Sequence, residues 1–600
     1  MDGKNNRHKV ILISATVVIV AAVGWLMYPR DPEPVKVEVI QQEAYIPPAA
    51  RERAKSPVQF TDVTQHSGVA FSHFTGATVD AEGKPSRFMP ETMGPGVAMI
   101  DYDLDNDLDI FVVNSASFDG EGDHAAMSPK LYRNDGDFTF TDVTETLGLG
   151  FMGYGMGVAV ADYNGDRYPD ILITGWNMLK LYENKAGKSF ADVSAGIFST
   201  RPSELPLWST GAVFFDADGD SDLDLYVAHY VLWTPDSDVF ATLNGRNKSY
   251  ATPDLYAGSS SRLFIQEKGM FTDATEGSGM NNDQGKSLGT SLWDFNDDGL
   301  LDIVVANDTQ PNFMYYNLGG GKFENRALEA GIAYDANGKT RAGMGIDVAD
   351  VANDGHTCIA IGNFSREPVS IFRDEGGGFF RESSQQSGVA EATYMVLTFG
   401  LNFADFDLDG WQDIILANGH IEPEIEQVEA EIKYRQPLTL LGNKAGKGFE
   451  NWSQSAGAVF NKPMVGRGLA VGDLDADGDI DIIASENGGG VHLLRNDSAT
   501  DNQFLRVNLH GRAPNTNAIG AKLTLISPDG MRQTRIVRGG ASYLSQSEFT
   551  QTFGLGDSRE GAVLELRWPS GRKQTVAIKK FNTTLVIAED SDPAPVLSER

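Results

Sequence analysis

Short apolar runs recur along the chain, each set off by polar turn residues; Ile110-Phe111-Val112-Val113, Leu225-Tyr226-Val227-Ala228 and Ile482-Ile483-Ala484 are three of them. Runs this short, rich in branched and aromatic residues, predict strands rather than helices. Each of the three follows an acidic turn. The clearest turn, at 473–481, reads Asp-Leu-Asp-Ala-Asp-Gly-Asp-Ile-Asp. Carboxylates at alternate positions, with Gly478 sixth so that the backbone can bend sharply, are the spacing that surrounds a hard cation with oxygen. A helix-loop-helix calcium site would place a glutamate twelfth, between amphipathic helices; the flanking strands exclude that reading.

Five more copies share the register, at 101–109, 162–170, 216–224, 294–302 and 405–413. A seventh, at 350–358, is worn: Ala352 and Cys358 stand at the third and ninth positions, although Asp350, Asp354 and Gly355 remain. Side-chain ligands are expected at positions one, three, five and nine. They are Asp101, Asp103, Asp105 and Asp109; Asp162, Asn164, Asp166 and Asp170; Asp216, Asp218, Asp220 and Asp224; Asp294, Asn296, Asp298 and Asp302; Asp405, Asp407, Asp409 and Asp413; and Asp473, Asp475, Asp477 and Asp481. The seventh residue, Asp107, Tyr168, Asp222, Leu300, Trp411 or Asp479, is expected to offer its backbone carbonyl. Asn164 and Asn296 fit because an amide oxygen is also a hard donor. The expected ion is Ca2+, at about six sites, since magnesium keeps more water and demands a tighter octahedron.

A glycine stands five residues before the first aspartate of every copy: Gly96, Gly157, Gly211, Gly289, Gly345, Gly400 and Gly468. A second phrase, Phe60-Thr61-Asp62-Val63-Thr64, returns at Phe140, Phe190 and Phe271 and more loosely at Phe323, Phe380 and Phe449. All but the first follow a phrase of the type Leu131-Tyr132-Arg133-Asn134-Asp135-Gly136, and the two together predict a hairpin turning at Asn, Asp or Gly. Each unit, about 62 residues long on average, therefore holds four strands. Seven such units predict an all-β, seven-bladed β-propeller. The Phe60 phrase has no hairpin partner before it, and the last such phrase, at Leu493, has no Phe after it. The first strand is thus expected to complete the last blade and close the ring. Residues 502–590 alternate apolar and polar between Gly and Pro turns and predict a small C-terminal β-domain.

With these phrases in view the chain resembles the cartilage acidic protein family, also labelled ASPIC/UnbV. Its loops are similar to the FG-GAP or VCBS repeats of integrin α-chain propellers. The C-terminal match rests on Asn517-Ala518-Ile519-Gly520-Ala521, on Gly540-Ala541-Ser542-Tyr543-Leu544-Ser545-Gln546-Ser547, on Phe553-Gly554-Leu555-Gly556 and on Trp568-Pro569-Ser570-Gly571. The resemblance implies a secreted or surface calcium-binding propeller with an appended β-domain, and it implies no reaction.

The formal charge of -34 changes this picture little, because 28 of the 83 acidic residues lie in the seven loops. Such a chain is expected to avoid nucleic acid. One cysteine, Cys358, excludes an intramolecular disulfide framework. Lys4, Arg7 and Lys9 precede residues 10–28, which carry no charge; as a helix these would span about 28 Å, close to a bilayer's hydrocarbon thickness. The basic flank predicts a membrane anchor with the bulk of the chain outside the cytoplasm. A cleaved signal peptide is the alternative, giving a secreted protein. The expected organisation is 1–30 anchor or signal, 31–56 proline- and charge-rich spacer, 57–500 propeller, 501–592 β-domain and 593–600 tail.

With the acidic loops on one face, the ends of the second strands lie on the other, where Asn114, His229, Asn307, Asn363, Asn418 and Glu486 stand. Arg87, Tyr154, Trp208, Lys286, Arg341 and Arg467 lead into the glycines there, and with His229, Asn418 and His420 they make the candidate ligand face. Long connections at 115–130, 230–262 and 419–439 border it, and long loops on a rigid scaffold are where binding evolves. His-Glu-x-x-His, Gly-x-Ser-x-Gly and phosphate-loop motifs are absent, so the chain reads as a binding protein rather than an enzyme, with His420 the candidate base if it is one. The expected function is adhesion or recognition of a protein or glycan ligand. A calcium-dependent polysaccharide lyase or hydrolase and a scaffold in an envelope or matrix complex are the alternatives.

Overall fold

A computed structural model describes residues 35–36, 55–79, 83–199, 207–558, 561–591 and 596–597. The expected membrane span at 10–28 lies outside them; among the described residues no helix is long and apolar enough to cross a membrane. The chain is all-β and propeller-like. Between Phe60 and Asn496 the described residues form seven four-stranded antiparallel sheets, each built on a first strand that leads into an acidic loop. The first strands are Val97–Ile100, Gly155–Ala161, Ser209–Phe215, Ser287–Trp293, Ile346–Ala349, Thr398–Ala404 and Gly466–Gly472. Every residue in them is buried, whereas the outer strand Phe140–Asp142 buries Phe140 and exposes Thr141 and Asp142. Each first strand packs on the next, and the seventh packs back on the first.

The glycine repeat has its physical cause here. A Cβ on Gly345 would lie 2.1 Å from the carbonyl oxygen of Phe399, and one on Gly289 2.3 Å from that of Met344. At five of the seven glycines the nearest atom is the carbonyl oxygen of the residue preceding the next sheet's glycine, Pro95 for Gly468; at Gly96 and Gly157 that carbonyl lies 3.1 and 3.0 Å away, behind the Leu544 carbonyl and the Thr174 hydroxyl. Any side chain would force adjacent first strands apart. At the rim a second glycine plays the same part, eight residues beyond the Phe of the fourth-strand phrase. Gly457 adopts φ +138°, and a Cβ there would lie 2.3 Å from the carbonyl oxygen of Phe60. Phe60–Asp62 in turn pairs with Val491–Asn496, Phe60 opposite Asn496, so the opening strand does complete the last sheet.

Residues from 503 onward form two more four-stranded sheets packed over a shared core that includes Leu505, Leu523, Leu525, Phe553 and Leu564. Between them, residues 540–547 leave the module and enter the ring. Ser542 exchanges both backbone hydrogen bonds with Ile346, at 2.8 and 3.0 Å. The carbonyl of Leu544 accepts from the N–H of Val158, and Gln546 bonds to Val97 and Met99. The hydroxyls of Ser542 and Ser547 accept from the N–H groups of Leu401 and Val471. Inner strand edges facing a channel would leave such backbone groups unpaired, and the strap supplies their partners. Tyr543 at its centre is fully buried against Phe399.

Two outcomes follow for ring closure. Gly457→Ala should cost about 2–3 kcal/mol in chemical denaturation, from a φ of +138° that favours glycine and from the contact with Phe60, against about 1 kcal/mol for Gly245→Ala, at a milder φ of +75° with open space around it. Equal costs would place Gly457 outside the closure. His492, between Asp62 and Glu486, carries the second test. Burial alone would lower its pKa, but hydrogen bonds to Asp62 on the closing strand and to Glu486 outweigh it and hold the imidazole at about 9, while His492 holds Asp62 well below the usual carboxylate range. A folded value above that of free imidazole, about 6.5, means the contribution is whole below pH 6.5 and is lost as pH rises through 9. At the acid end it is lost as Asp62 protonates. The melting temperature of the wild-type protein should therefore exceed that of His492→Gln at pH 6 and match it near pH 10.

Candidate metal centres

The acidic loops are pre-shaped by their own backbones. The first aspartate of each accepts two N–H bonds from within the loop: Asp101 from Asp105 and Asn106, both at 3.1 Å, and Asp473 from Asp477 and Gly478, at 3.1 and 3.0 Å. The sixth residue is left-handed in all seven copies. Gly299, Gly355, Gly410 and Gly478 adopt that conformation freely, while Asn106, Arg167 and Ser221 hold it against steric cost.

The ninth carboxylate is buried and used on both oxygens. Asp109 accepts from the N–H of Asn134 on the third strand at 2.8 Å and from that of Tyr102 at 3.1 Å; Asp170, Asp224, Asp302, Asp413 and Asp481 repeat the pattern. The third-strand residue adds a tie that the hairpin reading of the sequence missed. The Asn134 amide donates to Leu108 of its own loop at 3.0 Å and to Leu474 of the neighbouring sheet's loop at 2.8 Å. Asn184, Gln266, Asn443 and Asn496 make the same double contact. The signal was visible as an amide at one fixed place in the phrase, but an Asn at a turn has a sufficient local explanation.

Ligand atoms of positions one, three and nine lie within 4.8 Å of one another in Asp101/Asp103/Asp109, Asp216/Asp218/Asp224, Asp405/Asp407/Asp413 and Asp473/Asp475/Asp481. The loops at 162 and 294 carry Asn164 and Asn296 at the third position. The fifth carboxylates stand outside these groups: Asp105, Asp166, Asp220, Asp298, Asp409 and Asp477 each accept the N–H of the seventh residue, at 2.8–3.1 Å. That fixes the places of Asp107, Tyr168, Asp222, Leu300, Trp411 and Asp479. One oxygen each of Asp103, Asp222, Asp475 and Asp479 is buried without a hydrogen-bond partner. Burial pushes the carboxyls of Asp109 and Asp170 up to about 9 and that of Asp224 to about 8. Carboxylates stripped of water and facing one another favour the neutral form unless a positive charge is supplied, and a divalent cation with oxygen preference supplies it. The donor set fits such an ion.

The worn loop differs. Asp350 keeps its two backbone bonds, but Cys358 supplies no carboxylate, and the third-strand residue Asp374 donates to the carbonyl of Thr357 instead. Arg373 pairs with Asp354, placing a guanidinium at this loop. Burial raises the Cys358 thiol to about 12, which keeps it unreactive.

A model of the FG-GAP-like repeat matches residues 101–173, 162–227 and 294–361, and one described as ASPIC and UnbV matches 511–594, a span that includes the axial strap. Both descriptions thus match segments of this chain. Cartilage acidic protein 1 of Homo sapiens is 25% identical over 571 residues, 90% of this chain and 79% of that protein. The Xenopus tropicalis protein of the same name is 25% identical over 533 residues, 83% of this chain and 74% of its own length. The resemblance to the cartilage acidic proteins is therefore shown. Among solved structures, an Agrocybe aegerita lectin described by its recognition of non-reducing terminal N-acetylglucosamine covers 60% of this chain and 79% of its own. It is 16% identical with a TM-score of 0.36, a likeness that carries no argument.

On the face opposite the acidic loops, most of the expected ligand residues are turned inward. Trp208 and Arg467 are fully buried. Arg467 lies 3.8 Å from the Phe399 ring centroid and donates to the carbonyls of Thr92, Gly419 and Gly466. The Tyr154 hydroxyl donates to Thr75, and buried Lys286 donates to the carbonyl of Pro253. His229 lies against Ser209, and Asn418 ties its strand to Pro437 and Thr398. His420 is 2% exposed and its Nδ1 accepts the N–H of Glu422, with burial lowering its pKa to about 3, so it is not placed to act as a base. Arg341 faces Asp335 and Glu382 and bonds to Ser370. Arg87 is partly exposed, paired with Glu422 and Glu424 and resting on Tyr250. The physical reason is that the long connections fold over this end of the ring and cover what the strand ends would otherwise expose.

The two kinds of loop carboxylate separate in one comparison. Asp109→Asn puts an amide against two N–H donors and should cost about 2–3 kcal/mol with or without calcium, whereas Asp103→Ala should lower the melting temperature only when calcium is present. Identical behaviour of the two variants in excess chelator would contradict this division.

Proposed function

We propose that this protein is a calcium-binding, seven-bladed β-propeller acting outside the cytoplasm in adhesion or in recognition of a protein or glycan ligand. The observation that carries the calcium reading is the gathering of first, third and ninth carboxylates to within 4.8 Å in four loops, with buried oxygens left unpartnered beside them. The blade count is supported by the cyclic contact of seven first strands and by the Phe60–Asp62 closure. Similarity to cartilage acidic protein 1 over 90% of the chain, together with the FG-GAP-like matches, supports the extracellular placement and the recognition role. Residues 10–28 serve in this reading as a membrane anchor, or as a signal removed on secretion.

With the C-terminal module on the acidic-loop face and the strap in the axis, the opposite face is the one left for a ligand. Arg87, Lys248, Tyr250, Glu422 and Glu424 gather there. Binding to this face should be abolished by Arg87→Glu and retained by substitutions on the outer strands. A glycan array and an ectodomain pull-down, each with and without calcium, test this. Calcium-dependent capture of a defined ligand supports the reading, and release of unsaturated or reducing ends from a bound polysaccharide would replace it with an enzymatic one. Ions that bind only the folded state stabilise it by mass action, so excess EDTA should lower the melting temperature by ten degrees or so. An unchanged melt would remove calcium from the account.

A further inference from the structure

The C-terminal module sits directly on the acidic loops, and it does so unevenly. Arg506, on strand Gln503–His510, places one guanidinium nitrogen 2.7 Å from Oδ2 of Asp473, the first residue of the seventh loop, and another against Glu548. Glu548 in turn accepts the N–H of Asp473 at 3.1 Å. Arg567, on strand Val563–Arg567, pairs with Oδ2 of Asp294, the first residue of the fourth loop, and Lys522 reaches Asp297 of the same loop at 2.7 Å. Arg535 shares a small cavity with Asp405 of the sixth loop. On the other side of the ring the module touches the second loop with neutral groups: the Thr516 hydroxyl donates to Asp162, and the N–H of Asp162 donates to Asn517. Among the described residues no ion pair reaches Asp101 or Asp216, and both accept N–H groups of their own loops.

We infer that Arg506 and Arg567 set the ion affinities of the loops they touch, dividing the sites into a tighter class, at 101–109 and 216–224, and a weaker class, at 294–302 and 473–481. The inference rests on the calcium reading above. A guanidinium held on the first carboxylate has already neutralised one of the charges that a cation would use. It also stands within a few ångströms of the place a second positive charge would occupy. Repulsion between a divalent ion and a guanidinium about 5 Å away, screened as at a wet surface, weakens binding by about tenfold. By linkage the effect runs both ways: an ion entering these two loops loosens the module's charged contacts by the same factor. As calcium rises, the ring fills first where the module leaves it alone and last where the module holds it. The arginines are positioning residues here, acting on the ion through the aspartate they share.

Calcium titration by calorimetry of the full chain, stripped with EDTA, tests this directly. The wild-type protein should bind in two resolved classes. Arg567→Gln should move one site from the weaker class to the tighter by about tenfold without changing the total number bound, and Arg567→Lys should restore the wild-type isotherm. Circular dichroism confirms that each variant is folded, and Arg567 is suited because its side chain is more exposed than that of Arg506, 24% against 8%. A single class of sites in the wild-type protein, or an Arg567→Gln isotherm that coincides with the wild-type one, overturns the inference while leaving calcium binding intact. No heat and no bound ion in any form overturns the calcium reading and the inference with it.

Discussion

A buried carboxylate with two oxygens to satisfy is the constraint on which this ring depends. At the ninth position of six acidic loops the aspartate is enclosed, and it is tolerated because two backbone N–H groups point at it, one from its own loop and one from the third strand. Those bonds fix the loop against the sheet. In five of the seven sheets the third-strand amide then reaches across to the neighbouring sheet's loop and ties the two together. Two hydrogen bonds do not cancel a charge in so dry a place, and the remaining demand is one that a divalent ion would meet. On this account, fold and metal site share one group, which is why the loop cannot be separated from the sheet it belongs to.

At the axis the constraint is steric. Glycines allow first strands to come close enough for carbonyls to lie where a methyl group would be, and the narrow channel that results is filled by residues 540–547 of the module. The module is therefore part of the ring's core as well as a lid on its acidic face. This arrangement assigns the surfaces. The acidic loops and the module share one end, the strap takes the centre, and the long connections cover the other end.

Much of this architecture was legible in the chain because its signals repeat. A glycine stands five residues before each loop and the Phe phrase returns in every unit, and each marks a contact repeated around the ring, while the Phe60 strand, without a hairpin partner, marks the single place of closure. What escaped had a plausible local meaning or no local meaning at all. Asn134 reads as a turn former, and its bond to Leu474 joins residues 340 positions apart. Arg506 and Arg567 lie in ordinary alternating strands, and nothing near them in sequence points to Asp473 or Asp294. Trp208, Arg467 and His420 read as surface groups because the loops that bury them arrive from other sheets. The left-handed backbone at Arg167 and Ser221 went unseen for the same reason, since the loop imposes it against the residue's own preference.

The central claim is that the acidic loops gather divalent ions, and the most direct measurement is the metal content of the purified chain. After dialysis against calcium and removal of free ion, native mass spectrometry should find about six calcium ions per chain, one for each loop with an intact ninth carboxylate. The Asp481→Ala variant should carry one fewer. A folded chain that retains no calcium would contradict the account.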